Sequence, residues 1–118
     1  TMEILIDKNS DDGVYSYKTK SEYLNYVKYA LVDDIEKKKC EEVAINAWNA
    51  LGCRDGGRID LKMDKKGNVY FLEVNPLAGL NPIDSDLPIL CRLKGISYQE
   101  LIESIMDAAN FRIAAQTL

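Results

Sequence analysis

The 118-residue sequence contains no histidine. This absence excludes Ser-His-Asp and Cys-His nucleophile pairs, histidine-bound zinc and imidazole general bases. Basic residues are also too few for a nucleic-acid-binding protein, because the formal net charge is −4 and phosphate neutralisation needs a basic surface. No apolar run approaches the ~20 residues of a membrane span, and no segment resembles a signal peptide. We therefore expect a cytoplasmic protein with neither nucleic acid nor a membrane as its partner.

Cysteine is scarce as well. The three cysteines, Cys40, Cys53 and Cys91, are widely spaced and form no CxxC pair. An odd number at such spacings predicts reduced thiols that serve packing, not a disulfide framework or a zinc site. Walker-type and GxGxxG phosphate-binding loops are also missing. Any nucleotide site must therefore be built from other residues.

The sequence predicts one domain over residues 1–118. Its hydrophobic content of 47% is enough for a modest core at this length. There are no internal repeats and no low-complexity linker. A strand-like run begins directly after Met2, and we therefore expect the chain to be a piece of a longer protein.

Local patterns predict an α+β fold, an antiparallel sheet with flanking helices. Strands are predicted at residues 2–7, 13–18, 57–63 and 69–75, and a long, lid-like loop at residues 18–31. Helices are predicted from Asp33 or Asp34 to Gly52, from Ser85 or Asp86, and after the capping box that runs from Ser97 to Glu100. The first helix has an apolar stripe that we expect to face the core: Val43, Ala44, Ala47, Trp48 and Leu51.

The second predicted hairpin carries the polar residues of chemical interest. Arg58 and Asp60 share one face of its first strand, and Glu73 and Asn75 share one face of its second. A loop of two or four residues would pair Arg58 with Glu73 and gather all four side chains. An odd loop would set Glu73 beside Ile59 on the apolar face, which burial disfavours. We therefore expect an even loop and a polar cluster.

Two interpretations of this cluster stay open on spacing alone. The carboxylates of Asp60 and Glu73 with the amide oxygen of Asn75 are hard ligands that suit Mg²⁺ or Mn²⁺. Magnesium usually completes its shell with water and substrate phosphates, so a nucleotide partner would follow. The alternative is a solvated face with an Arg58–Glu73 cross-strand ion pair.

Four segments together resemble a known family. They are GRID at 57–60, FLEVNPLAGL at 71–80, SDLP at 85–88 and GISYQELI at 95–102. These segments are similar to the C-terminal part of D-alanine–D-alanine ligases, which belong to the ATP-grasp superfamily. The likeness extends from about Leu51 to Ala109 and, more weakly, back to about Val14. It implies a C-terminal ATP-grasp subdomain and favours the metal interpretation.

The resemblance implies a nucleotide and metal site. Asp60, Glu73 and Asn75 would be the ligands of two Mg²⁺ (or Mn²⁺) ions that bridge the phosphates of ATP, with Glu73 shared between the ions. Lys20 would be the lysine that contacts a phosphate, and the loop that follows it would be the active-site lid.

The resemblance also implies the catalytic and substrate-binding groups. Arg58 would stabilise the transferred phosphoryl group and the oxyanion of the tetrahedral intermediate. The backbone N–H of Gly79 would be the second oxyanion donor, and Ser85 would hold the carboxylate of the attacking D-alanine.

The implied activity is an ATP- and Mg²⁺-dependent ligation of two D-alanines through an acyl phosphate, a step of peptidoglycan precursor synthesis. The implied partners are D-alanine, ATP and the N-terminal and central domains of a full-length chain, without which the isolated chain would be inactive. A homodimer is also compatible with the resemblance.

Four departures from the family pattern keep alternatives open. Ala78 stands where proline is usual, and the loop from Gly79 to Ser85 is one residue longer. Asp86 replaces an apolar residue, and Ser21 stands where a tyrosine often follows the lysine. Another ATP-grasp carboxylate–amine ligase is therefore one alternative. A non-catalytic, stand-alone binding module is the other.

Overall fold

The computed structural model describes residues 1–6, 27–32 and 34–116. The chain divides into two compact units, Thr1–Asp33 and Asp34–Leu118, and the expectation of a single domain stays a prediction.

The described elements, in chain order, are β1 (Met2–Ile6), β2 (Val27–Leu31), α1 (Asp34–Ala50), β3 (Arg58–Met63), β4 (Val69–Asn75), α2 (Asp86–Leu93) and α3 (Tyr98–Gln116). The strands pair as β1–β2 and β3–β4, both antiparallel, which confirms the α+β class. None of the described helices has the length and apolarity to cross a membrane.

The first unit contains an antiparallel pair, in which Met2 lies opposite Leu31 and Ile6 opposite Val27. Strand β1 confirms the strand predicted from residue 2. The prediction of a loop over residues 18–31 is wrong for its C-terminal part, because β2 occupies Val27–Leu31. The sequence there, VKYAL, contains the strand-favouring residues Val27 and Tyr29, but its pairing partner β1 lies far away in the chain. The strand predicted at residues 13–18 and the rest of the predicted lid lie outside the described residues.

In the second unit, α1 begins with Asp34 and Glu36 in its first turn, where the helix dipole favours negative charge. It ends before Gly52, whose φ of 68° suits glycine. The helix packs against β3 and β4. Its predicted stripe is half-buried at Val43, Ala44, Ala47 and Trp48. The prediction is wrong for Leu51, which lies beyond the last helical residue and is exposed.

The most buried apolar side chains of the described residues lie around α2 and the start of α3: Ala78, Ile89, Cys91 and Leu101. The capping box at the start of α3 is confirmed. The backbone N–H of Ser97 donates to Glu100 Oε2 at 2.7 Å, and the backbone N–H of Glu100 donates to Ser97 Oγ at 3.1 Å. Hydrogen bonding from Ser97, chiefly from its backbone N–H, lowers the pKa of the Glu100 carboxyl. The two reciprocal hydrogen bonds satisfy N–H groups that would otherwise have no partner at the helix start.

The prediction of reduced cysteines is confirmed, since Cys40, Cys53 and Cys91 are all free thiols. Burial raises the pKa of the Cys91 thiol, and burial together with nearby Glu36 raises that of Cys40. A raised pKa lowers the thiolate fraction, which agrees with the prediction that these thiols serve packing.

Gly57→Ala is expected to lower the free energy of unfolding by about 1–3 kcal/mol. An added Cβ would lie 2.6 Å from the carbonyl oxygen of Asn75 and 2.7 Å from the Trp48 ring, and the β4 backbone cannot move aside. The neighbouring Gly56→Ala is the control, because its Cβ would meet the flexible side chain of Ile105 at 3.0 Å. Urea unfolding measures both; equal stability of the two variants would contradict the prediction.

Asp55→Asn is expected to destabilise the fold at neutral pH but not in acid. Arg112 Nη2 donates to Asp55 Oδ2 at 2.7 Å, and this pairing lowers the pKa of Asp55. A lowered folded-state pKa adds stability above the ordinary pKa of aspartate, and this stability is lost as pH falls through the lowered value. Asparagine tolerates the φ of 67° at this position, so the substitution removes charge without straining the backbone.

The measurement is urea unfolding over a pH series, with the exposed Asp107→Asn on α3 as a control for general loss of charge. A stability gap between wild type and Asp55→Asn that persists in acid would contradict the assigned role of the Asp55–Arg112 pair.

Candidate active site

The β3–β4 hairpin is closed by the carboxylate of Asp64. Asp64 Oδ1 accepts the backbone N–H groups of Lys66 and Asn68, both at 2.9 Å, and Oδ2 accepts from the Asn68 side chain at 2.9 Å. The hydrogen bond from the Asn68 side chain is the main cause of the lowered pKa of Asp64. Gly67 supplies the left-handed conformation of the turn, with φ of 83°. The predicted hairpin turn is confirmed, and it holds the two strands in fixed register.

That register differs from the predicted one. The structure pairs Arg58 with Asn75 and Asp60 with Glu73, so the predicted Arg58–Glu73 pairing is wrong. Met63 pairs with Val69, which leaves an odd loop where an even one was expected. A β-bulge offsets the odd loop length. The register shifts between Asp60 and the next residue, and Leu72 has no partner on the opposite strand.

The bulge thereby restores the polar face that an odd loop would have destroyed. Without the extra residue, the Met63–Val69 register would have set Glu73 opposite Ile59 on the apolar face. The extra residue places four polar residues on one face of the hairpin: Arg58, Asp60, Glu73 and Asn75. They share a face as expected, although the register that brings them there differs from the predicted one.

Arg58 stands at the centre of this polar cluster. Its Nε donates to Asp60 Oδ1 at 2.7 Å and its Nη2 to Asp60 Oδ2 at 3.1 Å, a bidentate pair. Its Nη1 donates to Asp86 Oδ2 at 2.8 Å, and its Nη2 lies 3.9 Å from Glu73 Oε1. The Glu73 side chain is 64% exposed and the Asp86 side chain 6% exposed. The guanidinium therefore joins the hairpin to the first residue of α2.

The cluster has the charge and the donors to attract a cation. Three carboxylates face the Arg58 guanidinium, so the formal charge of this group is negative. Among the described residues no three histidine, cysteine, aspartate or glutamate side chains are arranged to hold a metal ion. The predicted ligand set accordingly depends on the amide oxygen of Asn75 as its third donor. Its assignment as a metal site stays a prediction.

The predicted oxyanion donor and the predicted acceptor-binding serine lie next to each other. A Cβ added to Gly79 would stand 2.8 Å from Ser85 Oγ, so a larger residue here would displace the Ser85 hydroxyl. Ser85 occupies the N-cap position of α2, but its hydroxyl makes no capping hydrogen bond. Its Oγ accepts the backbone N–H of Asn81 at 3.0 Å instead.

The loop between Gly79 and Ser85 is held by both helices. Arg92 of α2 donates to the carbonyl oxygen of Pro82 at 2.8 Å, and the Tyr98 hydroxyl of α3 donates to that of Leu80 at 2.7 Å. Asn81 Oδ1 accepts the backbone N–H of Ile83 at 2.8 Å. Side chains from outside the loop thus fix the backbone next to Gly79 and Ser85.

The sequence interpretation did not assign a role to Asp86. Asp86 was predicted as a possible helix start and noted as a departure from the family pattern, whereas the structure also buries its carboxylate against Arg58. The available signal was an acid in the first turn of a predicted helix, next to an apolar run. Lys20, the predicted phosphate contact, lies outside the described residues.

Comparison with known proteins gives consistent results. The family described as "D-ala D-ala ligase C-terminus" matches residues 1–107. A D-alanine–D-alanine ligase of Pelotomaculum thermopropionicum is 32% identical over 107 residues, 89% of this chain and 33% of the relative. The corresponding ligase of Paraburkholderia phymatum is 43% identical over 72 residues, 60% of this chain and 22% of the relative. D-alanine–D-alanine ligase B of Clostridium tetani is 38% identical over 96 residues, 80% of this chain and 26% of the relative.

A solved structure agrees at the level of the fold. The crystal structure of D-alanine–D-alanine ligase from Bacillus anthracis aligns with a TM-score of 0.70 and 22% identity, covering 99% of this chain and 37% of that one. The chain thus spans about a fifth to a third of the length of these curated relatives. The match over residues 1–107 nevertheless covers nearly all of the chain, and the protein belongs to the family of the D-alanine–D-alanine ligase C-terminus.

Proposed function

We propose that this chain is the C-terminal part of an ATP- and Mg²⁺-dependent ligase that joins two D-alanines through an acyl phosphate in peptidoglycan precursor synthesis. The observation that carries the proposal is the cluster of Arg58, Asp60 and Glu73 on one face of a rigid hairpin. Family membership supports the choice of substrates, because the relatives are named as D-alanine–D-alanine ligases. The proposed location is the cytoplasm, where ATP is available.

The polar cluster fits a divalent cation. Asp60 and Glu73 lie directly opposite each other, and Asn75 lies on the same face of the hairpin. We assign these three residues as the ligands of two Mg²⁺ (or Mn²⁺) ions, with Glu73 shared, and Lys20 as a phosphate contact. The ions would neutralise phosphate charge and orient the γ-phosphoryl group of ATP.

Arg58 and Gly79 are the proposed stabilisers of developing negative charge. Phosphoryl transfer to a carboxylate and attack of an amine on the acyl phosphate both build charge on oxygen atoms. A guanidinium held at both edges and a backbone N–H on a fixed loop are donors whose positions are set before the reaction. Such pre-set donors stabilise a transition state without reorganising during it.

Ser85 is the proposed contact for the carboxylate of the second D-alanine. Its Oγ already accepts the backbone N–H of Asn81, so its own proton is directed toward a different partner. A substrate carboxylate is an acceptor of the right kind for that proton.

A second candidate is a related ligase that uses another amine acceptor. The observation that favours it is the buried Asp86, which follows Ser85 and replaces an apolar residue of the family pattern. Comparing D-alanine with other amino acids as acceptors, in the complete gene product, separates the two candidates. A preference for a different acceptor would support the second candidate.

Glu73→Gln is expected to weaken Mn²⁺ binding in the presence of ADP by at least about tenfold, because it removes the carboxylate assigned to both ions. The measurement is Mn²⁺ binding to the complete gene product with and without ADP. Glu42→Gln, an exposed change of equal charge on α1, is the control. Equal binding by wild type and Glu73→Gln would remove the hairpin as the metal site.

Ser85→Ala is expected to raise the KM for the second D-alanine by about tenfold or more, since it removes a hydrogen bond to a charged group. The KM for ATP should change little. Steady-state kinetics at varied concentrations of each substrate tests this in the complete gene product. An unchanged KM for D-alanine would show that the acceptor is held elsewhere.

A further inference from the structure

Arg92 lies in the last turn of α2 and reaches back toward the beginning of the helix. Its Nη1 donates to the carbonyl oxygen of Pro82 at 2.8 Å, and its Nη2 to that of Ile83 at 3.3 Å. Ser85, the N-cap of α2, lies about two helical turns earlier and therefore on the same face. Side chains on a helix tilt toward its N-terminus, so the long arginine side chain can meet the segment that leads into Ser85.

The segment that Arg92 holds, residues 81–84, lies at the surface. Its residues are all exposed, so burial of apolar surface contributes little to its conformation. Within the segment, Asn81 Oδ1 accepts the backbone N–H groups of Ile83 at 2.8 Å and of Asp84 at 3.3 Å, and these bonds define a turn. The guanidinium attaches this turn to the body of α2, because two of its N–H groups meet successive carbonyls.

The same turn determines where the Ser85 hydroxyl lies. Ser85 Oγ accepts the backbone N–H of Asn81 at 3.0 Å, and the backbone N–H of Ser85 donates to the carbonyl oxygen of Asn81 at 3.2 Å. Asn81 directly precedes Pro82, whose carbonyl is held by Arg92. A hydrogen bond to a substrate carboxylate depends steeply on distance and angle, so displacement of the turn would weaken it.

We propose that Arg92 is a positioning residue for the second D-alanine, because it holds the turn that orients the Ser85 hydroxyl. This inference rests on the proposed function, in which Ser85 contacts the carboxylate of that substrate. Arg92 acts through the backbone carbonyls of the turn. The proposed metal ligands Asp60 and Glu73 belong to the hairpin, a different element. Loss of Arg92 therefore weakens binding of the acceptor and leaves binding of ATP unchanged.

Arg92→Gln is expected to raise the KM for the second D-alanine by about tenfold or more and to leave the KM for ATP within about twofold of wild type. Glutamine is a good helix former, but it lacks the charge and the fork of donors. The measurement is steady-state kinetics of the complete gene product at varied concentrations of each substrate. A residue that only stabilises the fold would lower the active fraction, and thus kcat, without changing either KM.

Lys94→Gln is the matched control, because it removes a positive charge from the same end of α2 at an exposed position. Both KM values should stay as in wild type. Arg92→Lys keeps the charge but presents a point charge in place of a planar fork, so its KM for the second D-alanine should lie between those of wild type and Arg92→Gln. If Arg92→Gln does not fold, the rise in Arg92→Lys decides the question.

A double-mutant cycle tests whether Arg92 acts through the Ser85 hydroxyl. In a Ser85→Ala background, Arg92→Gln should raise the KM for the second D-alanine by less than about twofold, because the group that it positions is absent. Equal factors in the two backgrounds would contradict the positioning role, since they would show an effect of Arg92 that is independent of Ser85.

The outcomes distinguish this inference from the proposed function. If wild type ligates two D-alanines and the Arg92 variant has an unchanged KM for the second one, the positioning role is wrong and the proposed function stands. If wild type does not ligate D-alanine, the proposed function fails and the role of Arg92 fails with it.

Discussion

The contact on which the site depends is the one that Arg58 makes with Asp60 on one side and Asp86 on the other. A guanidinium is planar and presents its donors in a fixed fork, so two carboxylates at different edges determine its orientation. These two carboxylates come from elements that are distant in the chain, a strand and the first residue of a helix. Arg58 thereby couples the hairpin that carries the proposed metal ligands to the helix that carries the proposed acceptor contact.

The chemistry of the hairpin depends on one extra residue. The turn closed by Asp64 has an odd length, which in a regular ladder would put Glu73 on the face opposite Asp60. The bulge at Leu72 reverses this, because an unpaired residue shifts every later side chain to the other face. The turn fixes the start of the hairpin, and the bulge brings the proposed metal ligands to one face.

The loop between Gly79 and Ser85 follows a different principle. It has no regular structure of its own, and its conformation is set by hydrogen bonds from Arg92 and Tyr98 to its backbone carbonyls. Substrate-positioning groups are effective when the elements around them are rigid, since small displacements greatly reduce rates. A loop longer than the family pattern can therefore still present Gly79 and Ser85 in a fixed arrangement.

The sequence by itself determined what depends on neighbouring residues. The extents of α1, β3 and β4 follow from periodicity and turn residues, and the start of α3 follows from the reciprocal bonds of Ser97 and Glu100. The motifs GRID, FLEVNPLAGL, SDLP and GISYQELI also predicted the family. Tertiary structure decided the rest: β2 forms because a distant strand pairs with it, and the register of Asp60 with Glu73 depends on a bulge. The partner of Asp86 is 28 residues away. Such contacts depend on how elements pack, which no local pattern of residues specifies.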